Sequence, residues 1–218
     1  MSEFYALLGV TREATVPSRV GVLISGRGTN LQALLDAACE ERLGGHVAVV
    51  ISNISGAPGL ERARASGVES LVLDHRGRER EAYDAELVRE LRERRVDLVC
   101  LAGFMRRLSP VFVHAFAGRV LNVHPSLLPA FPGLEAQRQA LDYGAKVSGA
   151  TVHFVDEALD GGPILLQEAV PVREDDTIAV LSARILEAEH RIYPRAARLV
   201  LEGRCHVEGR RVRVNEAA

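Results

Sequence analysis

A chain of 218 residues, 47% hydrophobic, with a formal charge of −2 and a pI near 6.4, suits one generous soluble domain with a full core. The near-neutral balance leaves no electrostatic footprint for nucleic acid or an acidic membrane, and no apolar run approaches the roughly 18 residues of a membrane span. No signal-peptide pattern opens the chain, and Cys39, Cys100 and Cys205 give neither a disulfide framework nor a zinc spacing, so a reducing cytoplasm is the expected setting.

The first 18 residues, ending Thr15-Val-Pro-Ser18, read as an N-terminal extension outside a catalytic domain of residues 19–214. From Arg19 short apolar runs alternate with amphipathic stretches. Val20–Ile24, Val47–Ile51, Ser70–Leu73, Leu98–Ala102 and Val120–Val123 read as buried strands, rich in Val, Ile and Leu. Leu31–Ala38, Gly59–Ala65, Arg80–Arg94 and Pro110–Phe116 read as the helices between them. Such alternation implies an α/β fold, a Rossmann-like, mostly parallel sheet with helices on both faces. After Gly133 the pattern predicts a helix over Leu134–Tyr143 and strands near Ala150–Val155 and Ile164–Val172. A long helix from about Thr177 to Leu201 and a small hairpin around Glu208-Gly209 follow. Cys100 falls inside an apolar run and packs as a small hydrophobe. His46, His75, His114 and His206 read as surface residues, and the seven histidines show no metal-ligand spacing.

On such a sheet ligands bind beyond the carboxyl ends of the strands. The first strand runs into Gly26-Arg-Gly-Thr-Asn30 and then a helix. Gly26 and Gly28 match the first two glycines of a dinucleotide fingerprint, but Leu31 replaces the third. The second strand ends Ile51-Ser-Asn53 without the expected carboxylate, which disfavours a nicotinamide-dependent oxidoreductase. The loop keeps the physics of an anion site: glycines admit close backbone approach, and free amides at a helix start face a positive field. A monophosphate is the expected ligand, with Thr29 and Asn30 as side-chain donors; the alternative is a tight turn with a helix cap.

Asn122 and His124 lie two apart where the strand at Val120 ends, so their side chains share one side. Prolines 125 and 129 then restrict the chain. In Leu159-Asp-Gly-Gly-Pro163 a tight bend presents Asp160. An amide, an imidazole and a carboxylate suit an oxyanion and a proton transfer, if the fold brings them together. No nucleophile elbow or Cys-His arrangement accompanies them, which favours direct attack over a covalent enzyme intermediate.

Seven segments carry a resemblance. VLISGRGTNLQALLDA, ISN…GLERARASGV, EREAYDAELV, LAGFMRRLSP, LNVHPSLLPAFPG, HFVDEALDGGPILLQ and EAEHRIYPRA are similar, in this order, to phosphoribosylglycinamide formyltransferases, folate-dependent enzymes of purine synthesis. The resemblance covers about Arg19 to about Gly203. The Asn-x-His-Pro-Ser-x-Leu-Pro core marks only the wider formyltransferase superfamily; the GRGTN loop and the EAEHRIYP helix point to this member. The resemblance implies transfer of a formyl group from 10-formyltetrahydrofolate, a co-substrate, to the amine of glycinamide ribonucleotide, with no metal. It implies that His124 is the proton donor and oxyanion partner, Asn122 a second oxyanion donor, and Asp160 the carboxylate that favours the imidazolium and helps proton movement. Gly28, Thr29 and Asn30 match the phosphate-binding segment, and Glu189 and His190 the helix touching the ribose and glycinamide end. Arg80, the run Met105-Arg106-Arg107-Leu108, Asn122 and Asp156 match folate-binding positions. Two departures stand out: Arg107 where the family has an apolar residue, and Gln137 where it often has a histidine.

The resemblance implies small-molecule substrates and leaves a homodimer open. Methionyl-tRNA formyltransferase shares the core but carries a sizeable extra C-terminal domain, whereas only a hairpin is expected here after the last helix. Formyltetrahydrofolate deformylase usually has His-His-Ser in place of His124-Pro-Ser126. A catalytically inert binding module of the same fold is opposed by the intact Asn122, His124 and Asp160.

Overall fold

Side chains buried on both faces of one strand set the layering. In β1 (Ser18–Ile24), Val20, Val22 and Ile24 enter one core and Leu23 another, all fully buried. This computed structural model describes residues 17–215. The remaining elements are α1 (Thr29–Cys39), β2 (Gly45–Ser52), α2 (Gly59–Ala65), β3 (Glu69–Val72), α3 (Arg80–Glu93), β4 (Leu98–Leu101), α4 (Pro110–Ala115) and β5 (Val120–His124). Then come α5 (Ala136–Tyr143), β6 (Val147–Phe154), β7 (Ile164–Pro171), α6 (Ile178–Leu201), β8 (Cys205–Glu208) and β9 (Arg211–Val214).

One sheet joins all the strands in the order β3-β2-β1-β4-β5-β6-β7-β9-β8. The first five strands pair in parallel, while β6 is antiparallel to both β5 and β7. Helices α1, α2 and α6 bury Leu31, Leu34, Leu60, Ile185 and Tyr193 on one face; α3 and α4 bury Tyr83, Leu87 and Phe112 on the other. The chain leaves β1 toward β2 and returns to its opposite flank as β4. A crevice therefore opens beyond the carboxyl ends of β1, β4 and β5, the usual ligand site of such a sheet. Helix α6 is fastened beneath that crevice: the buried Tyr193 hydroxyl lies 3.0 Å from both the Leu101 and the Leu121 carbonyl, sharing one proton between them.

The predicted elements recur with small displacements. The N-terminal extension falls on residues 1–18, of which 1–16 lie outside the described residues; Ser18 already pairs with Gly45 as part of β1. The helix expected from Leu134 starts at Ala136, because Glu135 has φ 55, outside right-handed helical space. His46 and His75 are half-buried rather than surface residues: His46 Nε2 faces the Arg19 guanidinium at 3.4 Å, and His75 Nδ1 the Asn53 carbonyl at 2.9 Å. Among the described residues no helix is long and apolar enough to cross a membrane.

Candidate active site

The antiparallel register of β5 and β6 builds the first half of the site. Asn122 pairs directly with His153, and His124 with Thr151. Across this ladder Asn122 Nδ2 lies 3.2 Å from His153 Nε2. The other ring nitrogen, His153 Nδ1, is 2.9 Å from the Phe154 carbonyl, which only accepts, so Nδ1 carries the proton. A neutral His153 then offers Nε2 as acceptor, and Asn122 donates to it. Burial holds the His153 pKa below its ordinary value, opposed by the Phe154 hydrogen bond and by Asp160, which keeps this tautomer neutral.

His124, 4% exposed, is fixed in the same way. Its Nε2 lies 2.9 Å from the Phe131 carbonyl and must donate there. Nδ1 is left for chemistry, and Asp160 Oδ2 lies 3.4 Å from it. Asp160 Oδ1 is 3.8 Å from His153 Nε2, so one carboxylate faces both imidazoles. The three residues expected to form the catalytic set, Asn122, His124 and Asp160, are thus adjacent. His153 lies beside them, against both Asn122 and Asp160. It stands inside the HFVDEALDGG segment, but its role depends on strand register.

Two loops hold these groups. In the proline loop after β5, Thr151 Oγ1 donates to the Ser126 carbonyl at 2.7 Å and accepts from Leu128 N at 3.0 Å, and Ser126 Oγ donates to the Ala130 carbonyl at 2.6 Å. Asp160 Oδ2 also accepts from Gly133 N at 2.8 Å, locking the end of that loop to the Asp160 turn. The turn is forced by its glycines. A Cβ on Gly162 would sit 1.8 Å from the Phe154 carbonyl oxygen, so only glycine lets the bend pack on β6 and aim Asp160 back at His124. From the other side, Arg210 in the terminal hairpin donates to the Gly161 carbonyl at 2.8 Å.

A cavity of about 650 Å³ opens from this set, lined by Asn122, His124, His153 and Asp160 together with Met105, Arg106, Arg107, Leu108 and Asp156. Gln137 also borders it. The Met105 loop is anchored to the end of β1: Met105 N donates to Ser25 Oγ at 2.8 Å, and Ser25 Oγ donates to Asn53 Oδ1 at 2.6 Å. Arg106 stacks on the Tyr83 ring, 4.4 Å from its centroid. Arg107 donates to the Glu157 carbonyl at 2.8 Å, tying one cavity wall to the other. Asp156 Oδ1 accepts from Ala158 N at 2.9 Å and shapes the turn. Arg80, the first residue of α3, is exposed and stands outside the cavity lining.

The glycine loop gathers a second set beside the cavity. Gly28 has φ 70, and a Cβ there would lie 2.7 Å from Gly59 Cα, so the loop is packed against the start of α2. Asn30 Nδ2 donates to Glu189 Oε2 at 2.7 Å, bringing α1 and α6 together. Burial pushes the Glu189 carboxyl up to about 7 despite that hydrogen bond. Asn30 Oδ1 and His190 Nε2 are buried without a hydrogen-bond partner among the described residues. Thr29 and Gly26 are half-buried at the mouth of the loop. Among the described residues no group of three His, Cys, Asp or Glu side chains is placed to hold a metal ion.

Residues 18–197 match the family model described as "Formyl transferase". The chain is 50% identical over 184 residues to the phosphoribosylglycinamide formyltransferase of Escherichia coli (strain K12), covering 84% of this chain and 87% of that protein. It is 54% identical over 188 residues to the trifunctional purine biosynthetic protein adenosine-3 of Drosophila melanogaster, where the match covers 85% of this chain but only 14% of the larger protein. The crystal structure of glycinamide ribonucleotide transformylase 1 from Symbiobacterium toebii superposes with a TM-score of 0.91 at 56% identity, covering 95% of this chain and 98% of that one.

Proposed function

The chain belongs to the phosphoribosylglycinamide formyltransferases of the formyl transferase family, and from that premise we propose how its own residues carry the reaction. The amine of glycinamide ribonucleotide attacks the formyl carbon of 10-formyltetrahydrofolate, forming a C–N bond as the carbonyl electrons move onto oxygen. The tetrahedral intermediate then expels the folate nitrogen. One proton travels from the attacking amine to that leaving nitrogen, giving formylglycinamide ribonucleotide and tetrahydrofolate for de novo purine synthesis.

Asn122 is preset for the oxyanion: one Nδ2 proton is held by His153, which orients the amide and leaves the second proton for substrate oxygen. His124 presents Nδ1, its Nε2 proton being committed to Phe131. Asp160 faces that nitrogen at 3.4 Å, so a proton on Nδ1 can pass to the oxyanion or to the leaving nitrogen with the carboxylate beside it. The folate occupies the cavity between the Met105–Leu108 run and the Asp156–Asp160 turn. Arg106, backed by Tyr83, meets the carboxylates of the glutamate tail, and exposed Arg80 adds charge farther out. The nucleotide phosphate lies on Gly28, Thr29 and Asn30, with Glu189 and His190 toward the ribose. The enzyme works in the cytoplasm without a metal.

One observation carries this reading: Asn122, His124 and Asp160 converge at one cavity that also holds the Met105–Leu108 run. The test is the absorbance change on mixing protein, a 10-formylfolate and glycinamide ribonucleotide, run again without the nucleotide. Turnover only with the nucleotide supports transfer. Equal turnover without it identifies a hydrolase, and none in either run points to an inert binding module.

A further inference from the structure

The bend that carries Asp160 has little apolar packing to hold its shape. Glu157, Ala158 and Leu159 are exposed, and Asp160 itself sits at φ 49, a left-handed conformation that is costly for any residue with a side chain. Such a segment keeps its geometry only where polar contacts hold it from outside. Two guanidiniums do so, one at each end. Arg107 donates to the Glu157 carbonyl at 2.8 Å, and Arg210 Nη1 donates to the Gly161 carbonyl at 2.8 Å. The first comes from the cavity wall, the second from an element that otherwise has no part in the site. The Gly161 carbonyl belongs to the peptide between Gly161 and Gly162, the joint of the bend with the most backbone freedom.

Local structure explains why Arg210 arrives there. β8 and β9 pair with Glu208 opposite Arg211, so Gly209 and Arg210 form a two-residue turn. Gly209 supplies the φ of 60 that so tight a turn needs. The hairpin is fixed by the buried Val207, and Asn215 N donates to the Arg204 carbonyl at 2.9 Å to close its open end. β9 meets β7 at one position, Arg211 against Ile164, the first residue of β7. The chain reaches Ile164 directly from the Asp160-Gly161-Gly162-Pro163 bend. Register therefore sets the tip of the hairpin beside that bend. Glu208, the acid nearest Arg210 in sequence, pairs instead with Arg213 and His206.

We propose that Arg210 is a positioning residue for formyl transfer. By fixing the peptide between the two glycines it holds Asp160 Oδ2 against His124 Nδ1, which makes the β8–β9 hairpin part of the catalytic apparatus. Its action is indirect, through Asp160, and it rests on Asp160 serving the reaction as proposed above.

The experiment measures steady-state formyl transfer and urea unfolding for wild type, Arg210→Ala and Arg210→Lys, each with Asp160 intact and with Asp160→Asn. With Asp160 intact, Arg210→Ala should lower kcat about 5- to 10-fold, the size expected when one hydrogen bond that holds the bend is lost. Nucleotide KM should stay within about twofold, because the glycine loop lies on other elements. Arg210→Lys keeps a charged donor and should recover part of the loss. In the Asp160→Asn background Arg210→Ala should change kcat by less than about twofold, since the group it positions is already disabled. The same loss in both backgrounds, or a loss that only follows the fraction unfolded, makes Arg210 a structural residue and overturns the proposal. Wild-type kcat in Arg210→Ala overturns it as well. Wild-type kcat in Asp160→Asn alone overturns instead the role of Asp160 itself.

Discussion

Replacing Glu189 by glutamine should stabilise the protein while weakening its grip on the nucleotide. Glu189 is only 6% exposed and its single described partner is the Asn30 amide, so its carboxyl rises from the ordinary 4.5 to about 7. At about 1.36 kcal/mol per pH unit, that displacement sets about 3 kcal/mol against the charged form in the native state. Between those two values the native protein binds a proton that the unfolded chain releases. The penalty is therefore absent well below pH 4.5, grows as the pH rises, and is complete above about 7. Glutamine fills the same space without a charge and so escapes it. Urea unfolding of both proteins across pH is the assay. The stability advantage of Glu189→Gln should widen by about 2 kcal/mol between about pH 5.5 and pH 8. The lowered His153 and His190 act with the opposite sign, but they are present in both proteins and cancel in the difference. If the nucleotide sits as proposed, with its ribose beside Glu189, nucleotide KM should rise in the variant, most clearly at pH 8, where the wild-type carboxylate is ionised. A stability difference that stays flat with pH would show that Glu189 is not held protonated by burial.

Asp160→Asn preserves an acceptor for Gly133 N but removes the charge facing His124; kcat should fall by roughly the 10²–10⁴ of lost acid–base assistance, and wild-type turnover would refute the pairing. His153→Phe keeps bulk but orphans the Asn122 amide, so kcat should drop about 10-fold with both KM values nearly unchanged, a split that steady-state kinetics reads directly. Gly162→Ala forces a methyl group onto the Phe154 carbonyl; urea unfolding should show a loss of about 1–3 kcal/mol, and turnover should fall with it as Asp160 is displaced.

The sheet was legible because its central strands are buried on both faces and therefore read as unbroken Val, Ile and Leu runs, with no competing pattern. Asn122 and His124 were legible for a related reason: polar groups ending such a run, followed by prolines, have few structural excuses. Asp160 announced itself through the two glycines after it. His153 did not, because a histidine within an apolar run is ambiguous until the partner strand is known, and its pairing with Asn122 exists only in the antiparallel register of β5 and β6. The start of α5 was misplaced for a local reason, the left-handed Glu135, a conformation that glutamate rarely advertises.

Arg107 stands where the family pattern has an apolar residue, and the structure gives its side chain a partner within the protein. Its guanidinium spans to the Glu157 carbonyl and links the two walls of the cavity. The glycines carry a parallel lesson. Gly28 lies in the loop after β1 and Gly162 in the Asp160 turn, and each is demanded by backbone packing, against Gly59 Cα in one case and the Phe154 carbonyl in the other. Those close approaches deliver side chains from distant segments: Arg62 of α2 reaches the Arg27 carbonyl of the glycine loop because α2 can touch Gly28, and Asp160 reaches His124 because its turn can touch β6. The reactive groups are therefore positioned by places where main chain meets main chain, and substitutions there should disturb chemistry through geometry before they disturb any ligand contact.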